Sequence, residues 1–158
     1  MVVKAKKTGN GRISYNKKAR HNYLIGDLYE AGLALQGWEV KSIRAGRVQI
    51  NESFIQIHKG EAFLLSAFIT PLPTASTHIQ PDPKRNRKCL LHRRELNRLI
   101  GAVERKGATL IPTAMYWKHG HIKLEIGLAH GKKSHDKRAA EKESDWQRQK
   151  QRLLKSNR

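Results

Sequence analysis

The side chains most able to do chemistry in this chain are cations gathered around a few polar and acidic positions. Lys17, Lys18, Arg20 and His21 fall within five residues, preceded by Asn16 and followed by Tyr23. Glu30 then stands in the run YEAG, inside a mostly apolar stretch. A basic cluster followed by one carboxylate on an apolar strand can read phosphate and base together. The cations hold the backbone, and the carboxylate accepts hydrogen bonds from base edges.

The net charge of +19 over 158 residues points the same way. Self-repulsion of that size is tolerable when the partner is a polyanion. Nucleic acid and an anionic membrane surface are the two candidates. No apolar run approaches the roughly 20 residues a membrane span needs. The N-terminus, MVVKAKKTGN, lacks the apolar core of a secretory signal. A cytoplasmic protein with a nucleic-acid partner and no membrane contact is expected. The first twenty residues carry Lys4, Lys6, Lys7, Arg12, Lys17, Lys18 and Arg20 and no acid, so residues 1–11 read as a basic, flexible arm.

Enzymatic chemistry should leave a trace, and none is visible. Asp27 and Glu30 would point to opposite faces of a strand, which makes no acid–base pair. Of thirteen carboxylates, four lie in the last 28 residues, which leaves little for a two-metal site. The run Gly9-Asn10-Gly11 is too short for a phosphate-binding loop, and no helix follows it. His119 and His121 lack a nearby third ligand, so no metal is expected. Cys89, the one cysteine, stands beside Leu90 and Leu91 and reads as a buried thiol. A binding module without cofactor is the reading.

The elements that must position these residues follow from pattern. Residues 13–15 predict a short strand, and residues 17–21 one helical turn. In residues 23–35, Gly26 and Gly32 oppose a long helix while Tyr23 and Tyr29 favour a strand, so a strand bent at a glycine is expected. Residues 37–46 read as a helix, with Val40 and Ile43 on one face and Gly46 as its stop. Residues 53–58 and 62–69 read as a hairpin turned at Lys59-Gly60-Glu61. Pro71, Pro73, Pro81 and Pro83 then punctuate a long loop to about Arg87. Leu96, Leu99, Ile100 and Val103 make a helical stripe over residues 92–105, with Glu95 placed for a capping box on His92. Residues 109–118 and 121–129 form a hairpin at His119-Gly120, with Ile122, Leu124, Ile126 and Leu128 alternating. Six short strands with inserted helices predict an α+β, mainly β fold: an OB-type antiparallel barrel over residues 12–130.

After His130 the composition changes. Residues 131–158 hold ten Lys or Arg against four acids, a net of +6. Ala139, Trp146 and Leu153 recur every seven residues, with Leu154 adjacent. One thin stripe buries too little to offset the entropy of ordering the segment alone. A tail disordered when free, and helical against RNA, is expected. Tyr15, Tyr23 and Trp146 are candidates for stacking on bases.

Several motifs in fixed order give a specific resemblance. NKKARHNY (16–23), YEAG (29–32), GWEVKSIRAG (37–46), RKCLLH (87–92) and GKKSHDKR (131–138) resemble the SmpB family, small proteins that bind transfer-messenger RNA (SsrA RNA). The resemblance runs from about residue 12 to the end. It implies a six-stranded OB-type barrel with three short helices and a basic tail unstructured in free solution. It also implies the activity: binding the tRNA-like domain of transfer-messenger RNA and delivering it, with the elongation factor Tu complex, to stalled bacterial ribosomes. There the protein stands in for codon–anticodon pairing in the A site of the small subunit, and its tail enters the empty mRNA channel. Asn16 and Glu30 match the family's RNA-contacting pair, and Leu90 a leucine beside them. Lys18, Arg20, His21 and Tyr23 would supply phosphate contacts and a stacking face. In the tail, Gly131 matches a hinge, and Lys132 and Lys133 follow it. His135 matches a residue stacking on a decoding-centre base, and Asp136, Lys137 and Arg138 a DKR motif. Trp146, Leu153 and Leu154 complete the ribosome-engaging set, the last two standing where other members carry isoleucine and methionine. A monomer is expected. A general single-strand-binding OB module and a structural ribosomal protein are the competing readings of the composition alone.

Overall fold

The computed structural model describes residues 11–74, 80–131 and 134–156. In chain order the elements are β1 (Arg12–Tyr15), α1 (Lys17–Asn22), β2 (Tyr23–Leu33), α2 (Gly37–Arg44) and β3 (Val48–Gln49). There follow β4 (Phe54–His58), β5 (Glu61–Leu65), β6 (Phe68–Ile69), β7 (Arg87–Leu90) and α3 (Arg93–Lys106). The chain finishes with β8 (Thr109–Lys118), β9 (His121–Gly131) and α4 (Ser134–Ser156).

Six strands close into an antiparallel ring, β8-β4-β5-β7-β2-β9 and back to β8. The expected α+β, OB-type six-stranded barrel is present, with the short helices α1, α2 and α3 around it. Closure leaves no free edge within the ring. One ring member differs from expectation. Strand β1 lies outside the ring, added to β8, and the ring is completed by β7, a segment not expected as a strand. Its sequence, RKCL, has two cations in four residues, and only burial of Arg87 between two neighbours explains their tolerance. The expected strand over residues 62–69 also breaks in two. Ser66 takes a left-handed φ of 61°, and β6 leaves the barrel to pair with β3.

Strand β2 bends as anticipated: its pairing with β9 shifts register between Ile25 and Leu28, across Gly26. Opposite the bend, Gly127 has no room for a side chain, since a Cβ there would stand 2.7 Å from Ile25 Cγ2. The core is apolar, with Ala31, Ile43, Leu64, Leu99, Met115, Leu124 and Ile126 all buried to 1% or less. Helix α3 seals one end through Leu96 and Leu99. Its expected capping box does not form: His92 makes no side-chain cap hydrogen bond, because an imidazole does not replace a hydroxyl there. Cys89 is buried as expected, and burial pushes its thiol up to about 12.

One polar cluster is sealed inside. Glu39 of α2 and Arg87 of β7 are both fully buried. Arg87 Nε donates to Glu39 Oε2 at 2.5 Å, Nη1 to Ala67 O at 2.7 Å, and Nη2 to Pro83 O at 3.1 Å. Arg85 donates to the second carboxylate oxygen at 2.5 Å, and the Gln36 N–H to that same oxygen at 2.8 Å. The single cluster ties a helix, a strand, the β5–β6 break and the proline loop. Removing one partner strands a buried charge, so Arg87→Met should destabilise the fold by about 3–5 kcal/mol. Urea denaturation measures it, and a loss below about 1 kcal/mol would assign the cluster no structural weight.

Candidate nucleic-acid interface

Helix α1 is only six residues long and could not stand alone. Two things hold it. Beneath it, Ala19 packs with Ile111 and Ala129, with Tyr23 and Ile25 alongside. At its start, Asn16 is the N-cap: its Oδ1 accepts from the Ala19 N–H at 3.0 Å. Its Nδ2 donates to Pro112 O at 2.9 Å and to Ile50 O at 3.3 Å. Asn16 is 1% exposed, and it borders the cleft that opens beside α1. Its bonds position the cations that follow.

Those cations project outward. Lys18 pairs with Glu52 at 2.5 Å, and Arg20 Nη2 lies 3.9 Å from Glu125 Oε1. Arg12 and Arg20 both stack on the Tyr15 ring, at 4.7 and 5.4 Å. His21 and Tyr23 sit at the end of the helix, His21 exposed and Tyr23 half-buried. Between α1 and the residues leading into β4 opens a cleft of about 180 Å³, lined by Lys18, Asn22, Tyr23, Glu52, Phe54 and Thr109.

Glu30 lies on the outer face of β2, opposite Glu125 of β9. Two adjacent carboxylates would repel, and each has its own partners. Thr113 Oγ1 donates to Glu125 at 2.6 Å. Tyr116 donates to Glu30 Oε2 at 2.5 Å, and Lys118 Nζ reaches both Glu30 oxygens at 3.2 Å. Partial burial alone would raise the Glu30 carboxyl, but the bonds from Tyr116 and Lys118 outweigh it and hold the carboxyl below its ordinary value. Burial, and then the donated bond to Glu30, raise the Tyr116 phenol. Leu90 is 52% exposed and stands opposite Gly32. Gly32 shares a strand face with Glu30, so the structure brings Leu90 to the side of that carboxylate.

Tyr116, Lys118, Thr113 and Glu125 were not anticipated. Alternation along β8 puts Tyr116 and Lys118 on one face, but only the β8–β9 and β2–β9 ladders together bring that face to Glu30. The tail set is separate from this face. Gly131 ends β9 opposite Tyr23, and α4 begins three residues on. Lys132 and Lys133 lie outside the described residues; His135, Asp136 and Lys137 fall within α4, and their side chains lie outside the described residues. Arg138 is exposed, as are Trp146, Leu153 and Leu154 at 61–65%. His21 lies 3.4 Å from Glu141, a contact between α1 and α4. No described helix is long and apolar enough to cross a membrane.

The family model for the SmpB protein matches residues 13–156. The chain belongs to the SmpB family. An SsrA-binding protein of Alkalilimnicola ehrlichii is 59% identical over 154 residues, covering 98% of this chain and 96% of the relative. One from Thiobacillus denitrificans is 60% identical over 144 residues, 91% of this chain and 97% of the relative. Among solved structures, a chain described as "tmRNA-SmpB: a journey to the center of the bacterial ribosome" superposes with a TM-score of 0.63 at 48% identity. It covers 77% of this chain and 85% of its own length.

The Glu30 cluster has a pH signature. Its carboxyl is depressed from 4.5 in the fold, so the unfolded chain binds more protons in acid. The stabilisation is present above about 4.5 and is lost as the pH falls through the folded value. Tyr116→Phe should move the Glu30 titration midpoint upward in carboxyl carbon NMR. An unmoved midpoint would mean that Tyr116 does not hold the carboxylate.

Proposed function

We propose that this chain serves trans-translation, binding the tRNA-like domain of transfer-messenger RNA and carrying it to the A site of stalled bacterial ribosomes. The observation that carries this is the pairing of two unlike surfaces in one chain of the SmpB family. One is a rigid barrel face where cations, aromatic rings and the pre-held carboxylate of Glu30 converge. The other is a cationic helix whose described side chains are exposed.

On the barrel, Lys18, Arg20 and His21 contact phosphates, and Tyr23 supplies a stacking plane. Glu30 and Leu90 form the acceptor and the apolar contact of the same face, with Asn16 holding α1 in place. The elongation factor Tu complex joins through the RNA. The chain acts in the cytoplasm as a monomer and catalyses no reaction.

The units are a basic arm (1–11), the barrel (12–130) and the tail (131–158). With Trp146, Leu153 and Leu154 in solvent, α4 lacks the packing that sustains most protein helices. In the free chain the tail is disordered, and on the ribosome it is helical. On the ribosome Gly131 acts as the hinge. Lys132, Lys133, His135, Asp136, Lys137 and Arg138 engage the decoding centre, while Trp146, Leu153 and Leu154 secure the helix in the empty mRNA channel. The protein there takes the place of codon–anticodon pairing.

Deleting the residues after Gly131 should leave affinity for the tRNA-like domain nearly unchanged and abolish peptide tagging on stalled ribosomes. Loss of RNA affinity on that deletion would end the division of labour. A gel shift with poly-U competitor at stated salt separates the alternatives. A general single-strand binder would be displaced equally by both RNAs, and a structural ribosomal protein would co-purify stoichiometrically with vacant subunits.

A further inference from the structure

Helix α3 carries a second cationic feature that the α1 face does not use. At 3.6 residues per turn, Arg94, Arg98, Gly101 and Arg105 lie within about 60° of one another, a line about 16 Å long. The helix's two acids, Glu95 and Glu104, stand about 90° to either side of that line. Arg94, Arg98 and Arg105 are exposed. Among the described residues no carboxylate lies within ion-pair distance of them, whereas Lys18, Arg85, Lys88 and Lys118 each have one.

Two details set this line apart from an ordinary solvated face. Arg94 and Arg98, four apart, repel each other and weaken the helix. Gly101, in the middle of the helix, weakens it further relative to alanine. Among the described residues nothing calls for that glycine. A Cβ there would meet no atom within 4 Å, and its φ is not in the left-handed region. A bare backbone between arginines on one line is what a bulky polyanion needs for close approach. Guanidinium groups suit bidentate phosphate contact.

The end of α3 is linked in the chain to the cleft beside α1. Helix α3 ends at Gly107, in the left-handed conformation at φ 62°, and the chain passes directly to Thr109, which lines that cleft. Along its other flank, Glu95 and Arg98 act electrostatically on the Tyr29 phenol, next to Glu30.

We infer that the Arg94–Arg98–Gly101–Arg105 line of α3 is a second docking surface for the phosphodiester backbone of the RNA held at α1. The inference rests on the reading that this RNA is the tRNA-like domain of transfer-messenger RNA. A strand leaving the α1 face crosses the start of β8 and lies along α3, its sugar–phosphate backbone against Gly101.

The test measures affinity of the full chain for the tRNA-like domain across a potassium chloride series. Arg94→Gln/Arg98→Gln/Arg105→Gln should lower the slope of log K against log salt by roughly two to three. The charge-matched control Lys41→Gln/Arg47→Gln/Lys59→Gln should leave that slope near the unmodified value. Gly101→Ala should raise the melting temperature yet weaken binding several-fold, a combination that a purely structural role would not give. An unchanged slope in the arginine variant, a loss equal to the control's, or a loss seen only with ribosomal subunits overturns the inference alone. Failure of the unmodified chain to prefer the tRNA-like domain overturns the reading beneath it, and the inference with it.

Discussion

The buried pair of Glu39 and Arg87 is the constraint on which the rest of the barrel depends. Two charges removed from water cost several kcal/mol each unless their hydrogen bonds are complete. Here the guanidinium meets the carboxylate and two carbonyls, and the carboxylate also takes a backbone N–H. Such a cluster tolerates little displacement. It fixes α2 against β7, and β7 is the strand that joins β5 to β2 and closes the ring. The long proline-punctuated connection is pinned at the same point through Pro83.

Three neighbouring strands of the ring, β2, β9 and β8, make the face beside α1. Glu30 comes from β2, Tyr116 and Lys118 from β8, and Glu125 from β9. Glu30 is far in the chain from the other three, and register across the β2–β9 and β8–β9 ladders sets their spacing. Because the donors are held by strands, the Glu30 carboxylate is oriented and ionised before any ligand arrives. That is preorganisation, which lowers the ordering cost of binding. The tail helix differs: Trp146, Leu153 and Leu154 are exposed, without the fixed partners that Glu30 has.

Much of this was legible in the chain. The period-2 runs gave the β8–β9 hairpin, the glycine at 26 marked the bend in β2, and the leucine stripe gave α3. These features are local, and local pattern is set by backbone geometry that neighbours impose on one another. Segment 87–90 was not legible, because a strand holding two cations is stable only where tertiary partners satisfy Arg87. An asparagine before a basic helix suits a cap and a ligand contact equally, and the fold adds the cap and the bonds to Ile50 and Pro112 that no local pattern shows.

The sequence by itself determined the family, the polyanionic class of partner, the barrel class and the positions of the motifs. The family follows from the motifs and their order, and the rest from charge, composition and short-range periodicity; none of these needs a fold to exist. Tertiary structure alone decided which side chains are presented and which support them. It buried Asn16 at the cap of α1, clamped Glu30 between Tyr116 and Lys118, set Leu90 over Gly32, and left one line of α3 without acidic partners among the described residues. Those outcomes depend on contacts between residues distant in the chain, and strand pairing is the physical event that brings most of them together.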